Sequence, residues 1–168
     1  MGKIFAGLLF VFLHFRVGGF DLLPDFIGYL LIWLGMRSVQ ESKTWQENFS
    51  AIAACAVSII TLFSGGAAGP VPGLVTTALQ LLVLYAIAKG ALELEEYTGS
   101  DMRAGELRKS FLFAVIWGIL AYVGSWIEIT AAVVPAVLAF AGLVCYMVYC
   151  FKAWKAFEVW REEQRPAV

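Results

Sequence analysis

Charged residues are scarce in this chain of 168 residues, since they make up only 15% of it. A soluble domain usually carries about 25% charged residues. The 12 Lys and Arg residues are balanced by 13 Asp and Glu residues, so no basic surplus is available for binding nucleic acid. Because 61% of the residues are hydrophobic, the composition also excludes a secreted domain and a disordered tail. The sequence is typical of an integral membrane protein.

Cysteine and histidine are rare as well. The three cysteines, Cys55, Cys145 and Cys150, lie inside apolar segments, and an odd number in such places argues against a disulfide framework. His14 is the only histidine. The sequence contains no CxxC, HExxH, GxSxG, P-loop or GxGxxG motif. We therefore predict no metal and no cofactor, and the sequence carries no signature of an enzyme.

What the chain does have is a series of apolar segments long enough to be membrane helices. They cover residues 4–20, 24–36, 49–64, 67–88, 110–127 and 129–151. A helix needs about 20 residues to cross about 30 Å of hydrocarbon, and most of these segments approach that length. The pattern predicts an all-α fold, namely a polytopic transmembrane helical bundle of about six segments that form three hairpins. We expect residues 1–168 to be a single integral membrane domain.

The first hairpin is the weakest part of this prediction. Segment 4–20 carries His14 and Arg16 near its end, and segment 24–36 is short. A short or re-entrant hairpin is the alternative, because such a helix is tolerated where protein covers its backbone.

Basic residues indicate the orientation of the chain. If all six segments cross, every Lys and Arg except Arg16 falls on one side, and the cytoplasmic side is the one that collects them. We therefore predict that the N- and C-termini are both cytoplasmic. Residues 89–109 would be a charged cytoplasmic loop, and residues 152–168 a cytoplasmic amphipathic tail. The aromatic stripe of that tail either lies along the lipid headgroups or continues the sixth helix out of the membrane.

The few charges on the outer side suggest a polar site. Ionisable groups at this depth are costly and tend to be paired, often on a substrate or ion path. Two interpretations remain open, a structural ion pair that holds the hairpin or a site with Arg16 as the anion anchor. In the second, Asp25 or Glu128 would carry a proton or cation. The candidate residues are His14, Arg16, Asp21, Asp25 and Glu128.

Several other residues have roles that helix packing can explain. Asp25 follows a proline and suits the first turn of a helix, where its charge is favourable. Gly28 and Gly35 share one helix face and would allow a second helix to approach closely. Gln80 is a full amide near a helix middle, so we expect it to face other helices. Small residues also form two stripes that we predict to be packing seams, with Ala51, Cys55 and Ser58 in one and Ala132, Ala136, Ala139 and Gly142 in the other.

The stretch Asp21-Leu-Leu-Pro-Asp-Phe-Ile-Gly-Tyr-Leu-Leu-Ile resembles a group of small, uncharacterised multi-pass membrane proteins of Gram-positive bacteria. These proteins carry a similar PDFIGY segment early in the chain. The likeness extends over residues 4–36. It implies a bacterial cytoplasmic membrane and no particular activity.

Two functions follow as hypotheses. The first is a small transporter or transport-related subunit that uses the outer polar site. The second is a membrane scaffold or regulatory subunit that acts through helix packing and offers its cytoplasmic loop and tail to a partner. The expected partners are the lipid bilayer and either a second copy of the chain or a membrane protein, and nucleic acid is not among them. An intramembrane enzyme ranks behind both, because no nucleophile and base pair is visible.

Overall fold

The structure is a computed structural model that describes residues 1–12, 16–17, 20–21, 25–39, 41–63, 70–127 and 129–164. In chain order its elements are α1 (Gly2–Phe12), β1 (Arg16–Val17), β2 (Phe20–Asp21), α2 (Asp25–Arg37), α3 (Lys43–Glu47), α4 (Ser50–Phe63), α5 (Pro70–Thr98), α6 (Ala104–Ile127) and α7 (Ile129–Glu163). The predicted helical fold class is confirmed, and each of the six apolar segments overlaps one helix of at least 11 residues. Helix α3 is additional and was not expected.

Three helices are long and apolar enough to cross a membrane. These stretches are Thr77–Thr98, Ala104–Gly124 and Ala132–Glu163, which belong to α5, α6 and α7. Helix α7 is 35 residues long, or about 52 Å at 1.5 Å per residue, so it exceeds the hydrocarbon thickness by several turns. Six crossings remain a prediction.

The first hairpin is short, and the helix expected through residue 20 is wrong in its second half. Helix α1 ends at Phe12, and the chain is extended at Arg16–Val17 and Phe20–Asp21. The two strands pair antiparallel, with Arg16 opposite Asp21 and Val17 opposite Phe20. Between the paired residues the sequence has Gly18 and Gly19, and glycine is among the poorest helix formers. With 11 and 13 residues, α1 and α2 reach only about 16 and 20 Å, as the short-hairpin alternative requires.

The chain divides into two compact units, residues 1–94 and 95–168. In the first unit α1 lies antiparallel against α2, and α2 also contacts α3 and α4. Glycine permits the close approach, because a Cβ on Gly28 would lie 2.6 Å from Val11 Cγ2 and 2.8 Å from the Gly7 carbonyl oxygen. A Cβ on Gly35 would lie 2.8 Å from the Ile4 nitrogen. The predicted role of Gly28 and Gly35 is confirmed.

Helix α4 packs on α2 through its small residues. Ala51, Cys55 and Ser58 are all buried, so this predicted seam is confirmed. The Cys55 thiol lies 3.4 Å from the carbonyl oxygen of Phe26, as a hydrogen bond from sulfur to the backbone of α2. Small side chains bring α4 close enough for this contact.

The second unit is built on an antiparallel pair of helices, α6 and α7. A Cβ on Gly142 would lie 2.9 Å from the Phe113 ring and 3.0 Å from the Ala114 backbone, so the helices nearly touch there. The Phe111 and Tyr146 rings lie 6.5 Å apart across the same seam. The predicted stripe on α7 is only partly correct, because Ala136 is exposed. The actual seam keeps to the α6 side of α7 and runs through Gly142, Tyr146, Cys150, Ala153 and Phe157.

Apolar side chains cover much of the described α6 and α7 surface within the apolar segments 110–127 and 129–151. Exposed examples are Ile116, Ile119, Val134, Val137 and Phe140. A water-soluble monomer rarely exposes so large a continuous apolar face, which is instead typical of a surface that contacts lipid or protein.

We expect Gly28→Ala to destabilise the first unit. The added methyl would overlap Val11 and the α1 backbone, and overpacking of this kind costs about 1–3 kcal/mol. Gly118→Ala is the matched control, because nothing lies within 4 Å of a Cβ at that position in α6. Thermal unfolding of the purified protein in detergent measures both. If Gly28→Ala melts no lower than Gly118→Ala, the tight contact between α1 and α2 is wrong.

Candidate functional site

The structure brings together only part of the predicted outer site. Arg16 and Asp21 are cross-strand partners in the short ladder, so their backbones lie side by side. Asp25 begins α2 as the acidic residue of its first turn and is half-buried. His14 and Glu128 lie outside the described residues.

Gln80 lies on α5 and is half-buried. The expectation that its amide faces other helices therefore stays a prediction.

A polar cluster that sequence reasoning did not find connects α3 to α5. The Glu93 carboxylate accepts hydrogen bonds from the Ser42 hydroxyl at 2.8 Å, from the Thr44 backbone N–H at 3.0 Å and from the Thr44 hydroxyl. Ser42 is also the N-cap of α3, since its side chain accepts from the Trp45 N–H at 3.3 Å. One carboxylate of α5 thus satisfies the Thr44 N–H and two hydroxyl groups at the start of α3. We call this set the Glu93 cluster.

Trp45 provides a second contact between this short helix and α5. Its side chain is 0% exposed, and its indole N–H donates to the Ala86 carbonyl oxygen of α5 at 2.9 Å. Gly90 makes room for the ring, because a Cβ there would overlap the Trp45 indole. The Gln46 amide donates to the Val39 carbonyl oxygen at 2.9 Å and ties α3 to the residues that follow α2. Helix α3 is therefore anchored both to α5 and to the residues that follow α2.

The charged stretch 89–109 consists largely of two helix ends. Helix α5 continues to Thr98 and α6 starts at Ala104, which leaves only a short connection. Gly99 has a φ of 66° and donates its N–H to the Glu95 carbonyl oxygen at 3.0 Å, a common way to end a helix. The Glu95 carboxylate then accepts from the Ala104 N–H at 2.8 Å and caps α6. The end of one helix thereby holds the start of the next.

The polar end of the second unit, where α6 begins and α7 ends, has an apolar core of its own. Its members are at most 2% exposed, and we call them the polar-end core: Met102, Ala104, Leu107, Ala153 and Phe157. Next to it the Tyr97 and Trp160 rings meet edge to face at 6.3 Å, and Phe157 stacks on Trp160 at 5.6 Å. Helix α7 continues without interruption to Glu163, so residues 152–163 extend the last helix, and the position of this tail relative to the membrane stays a prediction.

Basic side chains lie over aromatic rings where the apolar segments end. In the first unit the Arg37 guanidinium is 5.7 Å from the Trp33 ring centroid and 5.9 Å from that of Phe49. In the second, Lys152 lies 5.4 Å from the Tyr149 ring and Lys155 lies 5.1 Å from the Trp154 ring. Such pairs of cations and aromatics are typical of the level where hydrocarbon gives way to headgroups.

Metal ligands are not gathered in the part of the chain that the structure describes. No group of three His, Cys, Asp or Glu side chains is placed there to hold an ion. Comparison of the chain with models of protein families, with curated proteins and with solved structures gives no match. What the described polar side chains do form is hydrogen bonds at helix ends, together with contacts of basic side chains with aromatic rings where the apolar segments end.

We expect Glu93→Gln to loosen α3 from α5. An amide offers one acceptor oxygen instead of two and turns an NH₂ donor toward the Thr44 and Ser42 donors. Hydrogen bonds to a charged group contribute about 1.5–3 kcal/mol, so a loss of about 1–2 kcal/mol is expected for this half-buried side chain. Glu96→Gln is the control, because Glu96 is exposed on the same helix. Thermal unfolding and proteolysis within residues 41–49 are the measurements, and equal behaviour of the two variants would contradict the assigned role of the cluster.

Proposed function

We propose that this chain is a multi-pass protein of a bacterial cytoplasmic membrane, with both termini in the cytoplasm, and that it acts as a scaffold or regulatory subunit. The membrane location is supported by three helices of sufficient length and by the exposed apolar face of α6 and α7. The orientation rests on the distribution of Lys and Arg in the sequence.

The polar-end core carries the proposal of a scaffold. A charged segment that only linked two membrane helices would need no buried side chains. Here Met102, Leu107 and Phe157 are almost completely buried, so the charged helix ends around them are held in fixed positions. An ordered surface that presents both signs of charge suits recognition of a partner protein, because charge complementarity sets specificity and orientation. Asp101, Arg103, Arg108 and Glu162 are exposed on that surface.

Transport is the second candidate, and one observation favours it. The short ladder places Arg16 opposite Asp21 between two helices that are each too short to cross hydrocarbon. Ionisable side chains at membrane depth are costly, tend to be paired and often mark ion or substrate pathways. In this proposal Arg16 holds an anionic group, and Asp25 carries a proton or cation.

Cysteine labelling tests the orientation. In a background with Cys55, Cys145 and Cys150 replaced by Ser, we expect Gly19→Cys to react with a membrane-impermeant maleimide added to intact cells. Asp101→Cys should react only after the membrane is permeabilised. Asp101 is chosen because it is exposed in the connection before α6. Reaction of the Asp101→Cys variant in intact cells would show that the proposed orientation is inverted.

Site-specific photo-crosslinking tests the scaffold. We expect a photoreactive amino acid at Asp101 or Glu162 to give one discrete protein adduct in intact cells, and the same probe at Phe140 to give lipid adducts only. Phe140 is the control because it is 69% exposed on the apolar face. Charge reversal by Arg108→Glu should remove the protein adduct, since the surface recognises its partner through charge.

The absence of a protein adduct would favour transport. If neither charged position gives a protein adduct, the scaffold is wrong. An ion flux in proteoliposomes that Asp25→Ala abolishes would then support the second candidate.

A further inference from the structure

The Arg37 side chain lies beside two aromatic rings, Trp33 and Phe49, which come from separate parts of the first unit. Trp33 and Arg37 are one turn apart on α2, and Phe49 comes from the connection between α3 and α4. The guanidinium lies within 6 Å of both ring centroids, the range in which a cation and an aromatic face attract each other. Phe49 is 64% exposed although it is fully apolar. We call this group the Arg37 site.

Its position along the chain places the Arg37 site at the edge of the hydrocarbon. Arg37 is the last residue of α2, directly after an apolar segment, and Phe49 directly precedes α4, where the next apolar segment begins. Two membrane helices therefore reach their polar boundary at this site, at the level where phospholipid headgroups lie. This step rests on the proposed membrane location.

The charge of Arg37 has no ion-pair partner among the residues that the structure describes. Glu41 and Glu47 lie in the neighbouring connection, but among the described residues no carboxylate comes within ion-pair distance of Arg37. The rings hold the guanidinium from its faces, and a planar guanidinium donates hydrogen bonds from its edges. Its donors thus remain available to an anion from outside the chain.

We propose that the Arg37 site binds the phosphate of an anionic phospholipid such as phosphatidylglycerol. The guanidinium fork matches two phosphate oxygens, and charge-assisted bonds of this kind are about twice as strong as neutral ones. Phe49 and the apolar body of Trp33 contact the glycerol and upper acyl region, where aromatic side chains are favoured. The occupant is a lipid rather than a soluble phosphate, because an exposed phenylalanine gains nothing from binding a free ion.

Lipid retention by the purified full-length protein tests this site. The protein is taken up in nanodiscs of phosphatidylcholine with a minority of phosphatidylglycerol, released into detergent and examined by native mass spectrometry. We expect Arg37→Gln to reduce retained phosphatidylglycerol about tenfold, as the loss of a charge-assisted contact implies. Arg108→Gln is the control, since Arg108 also stands just before an apolar segment and is exposed, but no described aromatic ring lies within cation–π distance of it. Arg37→Lys should fall between the two, because lysine keeps the charge and loses the fork.

Each possible result bears on a different step. Equal retention by Arg37→Gln and Arg108→Gln overturns the site while the membrane proposal stands. Displacement of the lipid by millimolar inorganic phosphate also overturns it, because the ligand would then be soluble phosphate. If the unaltered protein retains no lipid and does not fractionate with membranes, the membrane location itself is wrong.

Discussion

Hydrocarbon offers no hydrogen bonds to a polypeptide backbone, and in the proposed membrane location this constraint shapes most of the molecule. A chain that is 61% hydrophobic can remain in lipid only if each peptide group is satisfied within its own segment, as in a helix. Non-helical backbone then belongs at the ends of the segments. In the described structure the strands β1 and β2 lie at the end of the first apolar segment, and the residues on either side of α3 and the turn before α6 lie between apolar segments.

The same constraint changes how helices are held together. Between helices in lipid the hydrophobic effect provides little attraction, so close contact has to come from shape. Gly28 and Gly35 let α1 and α2 approach until their backbones touch, and Gly142 does the same for α7 against α6. At the polar ends, carboxylate side chains also make directional hydrogen bonds to neighbouring helices. Glu93 binds the start of α3 there, and Glu95 caps α6.

Much of the helical architecture could be predicted from the sequence, because long apolar runs and glycine spacing are local signals. The close approach at Gly28 follows from such spacing. Helix α3 could not be found in this way, since five residues in a polar connection have no periodicity. The bond between Ser42 and Glu93 joins residues 51 positions apart, and Glu93 looks like any other charge in an acidic stretch. The one available signal was Trp45, a large apolar side chain alone in a polar connection, which indicates burial against something distant.

The contrast between apolar and polar parts bears on where function resides. The α6 and α7 surface within the apolar segments is broad and chemically uniform, so many lipids or helices would fit it equally well. Specific recognition needs groups in fixed positions whose bonding capacity is not already used. The polar ends meet both conditions, because the polar-end core holds charged helix ends in place and Arg37 keeps its donors between two rings. We therefore expect substitutions at the exposed polar ends to alter activity with little change in folding, and substitutions at the glycine contacts to act through folding.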